Sequence, residues 1–366
     1  MLAGEWQNFK SVVVNAEEAG KLLPKWLKLT AHTLESAGYN APELVLPVLK
    51  HTHSASVLTV QQGGDLHLAV PFQFGISYNS SWKSPLTAAG TPHVVEDFKE
   101  AAISEFIAAQ TKPFLFQAIP IEGPFSELLK MQSQRYAILE SWSRACLRPV
   151  GTYENWLLSN FDQKRRKEFK RLRSRLSELG ELRTETLEKS TNADSFISDF
   201  LNLEASGWKG KQGTAIAADK DLTAGLREAL QNLHAAGKLR FWSLQLTGKS
   251  IASLFAIVEG DQAWMGKIAY DESYAKFSPG ALIILDCTQS FFAEPTIKQI
   301  DSSAIPNHPL IDRIWRDRLA MASVFVGPLT LSKWIFNLTV ALADLKLKWH
   351  NRLRGLYYAI RGKNRS

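Results

Sequence analysis

Between Arg240 and Ala293 the chain spells three strands and then a helix in one uninterrupted run, and the rest of the chain is organised around it. Arg240-Phe-Trp-Ser-Leu-Gln-Leu246 alternates with the period of two of a strand, and Thr247-Gly248-Lys249 supplies a tight turn. Ile251 to Val258 reads as a second strand, Glu259-Gly260-Asp261 as a turn, and Ala263 to Ala269 as a third strand. Two hairpins in tandem make an antiparallel meander. Then the period changes. Ser278-Pro279-Gly280 predicts a helix start, with Ser at the N-cap and Pro at the first helical position. Ala281 to Ala293 is apolar on nearly every face, as suits a helix buried against a sheet. The first amides of such a helix have no partner within it and point beyond the third strand. They predict an anion site at Ser278, Gly280 and Ala281.

The rest of the chain allows two domains of ordinary size, with 366 residues, 45% hydrophobic and 22% charged. Cys146 and Cys287 lie far apart, with no CxxC or Cys/His cluster, so no structural metal is expected and a reducing cytosol is the simplest setting. The first residues lack the basic start and apolar run of a signal peptide, and no apolar stretch reaches membrane-spanning length, which predicts a soluble or peripheral protein. The formal charge of +7 is local: residues 327–366 carry eight basic residues against Asp344 alone, which leaves the other 326 residues balanced.

Upstream, Glu17 to Ala37 has helical spacing, and a short helix follows Pro42. Ala55 to Gln61 and Leu66 to Phe72 form a hairpin, Tyr78 to Thr91 a loop, Ala101 to Gln110 a helix and Pro113 to Ile119 a strand. This order echoes the C-terminal half without its Ser-Pro-Gly helix start. Ala137 to Leu147 reads as a strand or an extended link. The run from Lys164 to Gly180 places Phe169, Leu172, Leu176 and Leu179 on one helical face and its Lys and Arg on the other. That basic face is a solvated surface or an anion-facing one. Further helices are expected at Ala193 to Ala205, Leu222 to Ala236 and Leu310 to Leu319, with strands at Ile297 to Asp301 and Ser323 to Val326. Between the first two of these helices, Gly207-Trp208-Lys209-Gly210 and Gly213 cannot continue a helix and allow backbone to approach a ligand closely. Residues 327–366 mix Trp and other apolar side chains with Lys and Arg, so this tail lies on an anionic membrane, docks on the body or frays.

No GxSxG elbow, HExxH helix, Walker A loop or EF-hand occurs, which leaves hydrolase, metalloprotease and NTPase readings without support. Polar groups near strand ends remain: Asp301, which orients a base or caps the next segment, and His308, restrained between Pro306 and Pro309.

Taken in order, these motifs resemble the CelD-type acetyltransferase-like family of the GNAT superfamily, relatives of the FemABX aminoacyltransferases. The resemblance is carried by Arg165-Arg-Lys leading to Leu179-Gly180, by Leu203-Glu-Ala-Ser-Gly-Trp-Lys-Gly, and by Tyr270-Asp-Glu-Ser-Tyr with Ser278-Pro-Gly. Asp301, His308-Pro and Trp315 complete it. It implies an α/β (mixed α+β) fold of two tandem GNAT-like domains, each a mixed, largely antiparallel sheet flanked by helices. Residues 1–150 would be a degenerate first copy, 151–326 the catalytic copy and 327–366 a basic tail. The implied activity is transfer of an acyl group, with acetyl-CoA as the first donor to consider, to an amine or hydroxyl of a sugar, polysaccharide precursor or other envelope-related acceptor, in the cytoplasm or at the inner face of the membrane.

The implied donor site comprises Lys267, Ile268, Ala269, Ser278, Gly280 and Ala281. Trp208, Lys209, Gly210, Tyr270 and Asp271 fall on the acceptor side, and His308, Glu204 and Asp301 are the acid-base candidates. The pyrophosphate turn departs from the usual Q/R-x-x-G-x-G/A, being Ala275-Lys-Phe-Ser-Pro-Gly-Ala281 with one glycine. Two alternatives therefore stand: a FemABX-like enzyme using aminoacyl-tRNA, and a non-catalytic GNAT-like scaffold.

Overall fold

The computed structural model describes residues 9–207 and 215–363, with the side chains of 354–363 excepted. In the first half, β1 (Lys10–Val14), α1 (Ala16–Lys21), α2 (Leu23–Ala31) and α3 (Pro42–Thr52) precede the hairpin β2 (Ser56–Gln62) and β3 (Asp65–Gln73). Then come β4 (Asn79–Ser81), β5 (His93–Val94), α4 (Lys99–Ala108), β6 (Phe114–Pro120), α5 (Pro124–Gln132) and β7 (Arg135–Leu147). The second half runs α6 (Tyr153–Asn160), α7 (Gln163–Ser177), β8 (Leu182–Thr186), α8 (Asp194–Ser206) and α9 (Lys220–Ala235). Its meander is β9 (Leu239–Leu246), β10 (Lys249–Glu259) and β11 (Gln262–Tyr270). It is followed by α10 (Pro279–Phe292), β12 (Gln299–Asp301), β13 (Asp317–Gly327) and α11 (Lys333–Lys363).

Thirteen strands among the described residues form one sheet, ordered β1-β2-β3-β4-β6-β13-β7-β12-β11-β10-β9-β8 with β5 beside β3. Pairing is antiparallel except for β4 with β6 and β11 with β12. The last strand does not close the second half on itself. β13 lies between β6 and β7, and β7 in turn reaches β12, so each half lends a strand to the seam. This explains one correction. Leu310 to Leu319 has helical spacing, yet only Ile311–Arg313 coils, as a 3₁₀ turn, and the chain is extended from Asp317. Strand pairing along both edges of β13 overrides the local pattern.

Local chemistry sets most helix starts. Asn15 and Glu18 make a capping box for α1, and Thr152, Asp162 and Asp219 accept amides at the starts of α6, α7 and α9. The single helix expected from Glu17 to Ala37 is broken into α1 and α2, and the chain leaves it at Ala31. Pro24 has no N–H to continue the first helix, and Leu22 closes it on the Ala19 carbonyl. Phe169, Leu172 and Leu176 of α7 are buried as expected, but Leu179 lies past the helix end and is 55% exposed.

Three layers of core follow from these pairings. α4 and α5 cover one face of the first half through Phe106, Phe125 and Leu129 against Phe114 and Phe116. α10 covers one face of the second through Leu282, Ile283, Cys287 and Phe291 against Met265, Leu254 and Trp242. The remaining core joins the halves: Trp26, Val45 and Val48 from the first share it with Phe200, Leu226, Leu230 and Phe255 from the second. There α9 approaches α3 so closely that a Cβ on Gly225 would lie 2.9 Å from the Val48 Cα. The tail docks as well. Phe336 and Ala343 of α11 are buried against Leu115 and Phe325, so the inner face of this helix belongs to the body.

Candidate functional site

β11 is the strand on which the site is built. It pairs with β10 along its whole length but with β12 only at Gln262, Ala263 and Trp264. Beyond Trp264 no strand among the described residues follows its outer edge. The register with β10 slips there, from Ala256 opposite Met265 to Leu254 opposite Ile268, which makes a bulge at Gly266 and Lys267. A bulge bends a strand and redirects its polar groups. Gly266 is what permits this one, because a Cβ at this position would fall 2.1 Å from the Phe255 ring. The bulge thus adds Gly266 to Lys267, Ile268 and Ala269, the donor residues that the resemblance implies. A glycine inside an otherwise regular strand was the signal.

A residue from the other half reaches the same place. Tyr39, in the 3₁₀ turn Gly38–Asn40, is buried and donates its hydroxyl to the Met265 carbonyl at 2.7 Å, one residue before the bulge. Burial pushes this phenol up to about 12, so it remains a donor throughout the physiological range. Tyr39 thereby ties the first half of the chain to β11. Nothing in the local sequence marks it.

After β11 the chain caps itself before re-entering a helix. Asp271 accepts from the Ser273 amide at 3.0 Å and hydroxyl at 2.6 Å and pairs with Lys249 at 3.0 Å. The Ser273 hydroxyl and the Lys249 ammonium hold its carboxyl below the usual range. Asp271 is thus engaged in the turn rather than presented to an acceptor. Ser278 precedes Pro279 as expected, but its φ and ψ are both 51°, left-handed, and its side chain makes no cap bond. Its carbonyl instead accepts the amides of Ala281 and Leu282 at 2.9 and 3.2 Å. Gly280 is buried, and a Cβ there would meet Leu310, Tyr270 and Ile268 at 3.3 to 3.6 Å. The α10 N-terminus therefore meets the end of β11 directly, with exposed Ala275 and Lys276 at its mouth.

Of the acid-base candidates, Glu204 lies at this end. It is 3% exposed on α8, accepts the Ile216 amide at 2.8 Å, and lines a shallow pocket of about 40 Å³ with Ile268, Ala269, Tyr270 and Glu272. His308 lies by the 3₁₀ turn whose Leu310 touches Gly280, and its Nδ1 accepts the amides of Leu310 and Ile311 at 3.3 Å each. With both amides directed at it, that lone pair is engaged. Asp301 goes elsewhere. It is buried on β12, ion-paired with Arg144 of β7, and its other oxygen accepts the Ser303 amide at 2.8 Å. It lines a separate crevice with Tyr39, Trp264 and Glu35, so it holds the seam and does not join Glu204. Trp208, Lys209 and Gly210 lie outside the described residues.

Residues 163–305 match the family model described as the acetyltransferase (GNAT) domain. A search of curated proteins finds no match in sequence. Among solved structures, one similar chain is the C-terminal domain (DUF2156) of a protein described as a lysylphosphatidylglycerol synthetase from Agrobacterium fabrum. It has a TM-score of 0.56 and 10% identity, over 90% of this chain and 96% of that one. FemX is also similar, with a TM-score of 0.54 and 9% identity over 90% of this chain and all of FemX. At such identities the likeness is one of fold. The matched residues run from α7 to just past β12 and contain the bulged strand, the α10 start and Glu204.

Proposed function

We propose that this chain transfers an acyl group from acyl-CoA, acetyl-CoA first, to an amine or hydroxyl of a sugar, polysaccharide precursor or other envelope-related acceptor. The acceptor class follows the CelD-type resemblance. The observation that carries the reading is the bulge at Gly266 and Lys267, on a strand edge with no strand partner among the described residues and leading to the start of α10. The thioester would lie along that edge, where backbone amides near Lys267 to Ala269 hydrogen-bond its carbonyl oxygen as negative charge develops there. The pyrophosphate would meet the α10 N-terminus beside Lys276. The acceptor attacks the carbonyl carbon, the carbon–sulfur bond breaks, and CoA leaves as the thiolate. The acceptor's proton goes to a base in the pocket, and Glu204 is better placed for this than His308, whose Nδ1 is engaged.

Calorimetric titration with acetyl-CoA and longer acyl-CoAs tests the donor. Gly280 is a poor place to intervene, because a carboxylate there would be buried among Leu310, Tyr270 and Ile268. Lys276→Glu is cleaner, since Lys276 is exposed. Binding by the parent that this variant weakens about tenfold or more supports the reading. Absence of binding to any acyl-CoA sinks it. Turnover unchanged in both Glu204→Gln and His308→Ala would remove the acid-base assignment.

A second reading, with an aminoacyl-tRNA donor, is favoured by the packing of α7 against the 3₁₀ turn Glu272–Phe277 that leads into α10. This brings the exposed Lys164, Lys167, Lys170 and Arg175 into the neighbourhood of the donor site. It predicts tRNA binding that falls steeply with salt.

A further inference from the structure

We propose that the outward face of α11 is a docking surface for an anionic lipid bilayer. The inner face, through Phe336 and Ala343, is already used by the body. Trp334, Leu338, Leu342, Leu345, Trp349 and Leu353 form a second stripe, spaced by four, four, three, four and four residues, which keeps them on one side of a helix. All six are exposed, from 41% at Leu338 to 70% at Trp334. From Trp334 to Leu353 the stripe is about 29 Å long. A neighbouring loop extends it. Phe74 and Ile76 are 68% and 95% exposed and share with Leu342 and Lys346 a cleft of about 720 Å³ between loop and helix. Two separate elements thus present large apolar side chains to solvent at one place on the surface.

The charge says what covers them. Eight basic residues against one acidic in residues 327–366 account for the whole formal +7 of the chain, and Lys346, Lys348 and Arg352 flank the stripe in exposed positions. A second copy of the helix would bring like charge against like charge across the seam. An anionic surface complements it, with Trp334 and Trp349 at the depth of the headgroups and the Leu side chains below them. The geometry is that of a helix lying in the interface. No helix among the described residues is long and apolar enough to cross a membrane.

The test is co-sedimentation of the full chain with phosphatidylcholine vesicles and with vesicles that also contain phosphatidylglycerol. The parent and a Leu345→Glu, Trp349→Glu double variant are compared, beside sedimentation velocity without lipid. Both substituted side chains are exposed, so the thermal midpoint is expected to stay unchanged. The parent should bind phosphatidylglycerol vesicles roughly tenfold or more tightly than neutral ones, and the double variant should lose that binding. Lys346→Gln with Arg352→Gln should lose the preference for anionic lipid. Equal partition onto both vesicles, no binding, or binding retained by the double variant overturns the proposal. So does a dimer of the parent that the double variant dissolves without any lipid binding, which would make a second copy the occupant. The inference rests on α11 and its neighbouring loop, and none of these outcomes depends on the acyl donor.

Discussion

Both halves of the molecule contain one parallel strand pair, and the two pairs are finished differently. In the first half β4 and β6 pair at Asn79 and Ser80. The gap beyond is sewn shut: Gln117 donates its side chain to the Ser81 carbonyl and its amide to the Ser81 hydroxyl, both at 2.9 Å. Gly90 packs against the same two residues, leaving no room for a Cβ. In the second half β12 ends at Asp301, β11 continues through its bulge to Tyr270, and the polar contact at the gap comes from Tyr39 of the other half, which bonds the Met265 carbonyl. The same local architecture therefore becomes a closed seam in one place and, in the other, a strand edge with no strand partner among the described residues. The difference is made by a few polar side chains and two glycines, Gly90 and Gly266.

The contrast holds only if the halves are mechanically one body, and the largest expected effect tests that. Glu259, at the end of β10, accepts from the Ala37 amide at 2.8 Å and pairs with His93 at 3.0 Å and Lys238 at 3.4 Å. Trp26 donates to the other nitrogen of His93 at 3.1 Å, and Lys238 also pairs with Glu43 at 2.9 Å. Burial pushes the Glu259 carboxyl up, but His93, Lys238 and the Ala37 amide more than offset this and hold it at about 2. Its stabilisation is present above the unfolded value near 4.5 and lost as pH falls toward 2. Glu259→Ala should cost about 3–5 kcal/mol in urea denaturation, in one transition that carries both halves. Two separated transitions would show that the halves are independent.

A second carboxylate has the opposite sign. Burial raises Glu35 to about 7, although it accepts the Phe125 amide at 3.0 Å at the start of α5. Its contribution is greatest below pH 4.5 and fades as pH rises through 7, by up to about 3 kcal/mol. Glu35→Gln should flatten that slope in pH-dependent melting, and an unchanged slope would exclude Glu35 as its source.

The two gaps can then be exchanged in consequence. Gly266→Val, which drives a branched side chain into Phe255, should cost about 1–3 kcal/mol and weaken acetyl-CoA binding. Gln117→Ala should cost only about 1 kcal/mol and leave acetyl-CoA affinity unchanged. If Gln117→Ala impaired binding while Gly266→Val did not, the roles of the two gaps would be reversed.

What the sequence disclosed was local. The meander, the apolar α10 and the helices α7 and α9 are written in alternation, turn residues and helical spacing, and all appear where expected. What it concealed depends on distant partners. Helical spacing around Leu310 yields to β13, whose partners lie some two hundred residues away. Tyr39 reaches Met265 across 226 positions, and Asp301 looked like an acid-base residue until Arg144 claimed it. Ser278 stands at the N-cap as expected, but its left-handed backbone leaves its carbonyl, and not its hydroxyl, to receive the first amides. Glu204 was legible as a candidate because its motif is continuous in sequence, and α8 carries it to the pocket at the end of β11.

Hydrogen exchange with and without acetyl-CoA reads both gaps in one experiment. The account predicts slowed exchange in residues 266–282, from the bulge to the first turn of α10, and no change in residues 79–90. Protection confined to residues 79–90, or none in either region at saturating acetyl-CoA, would contradict it.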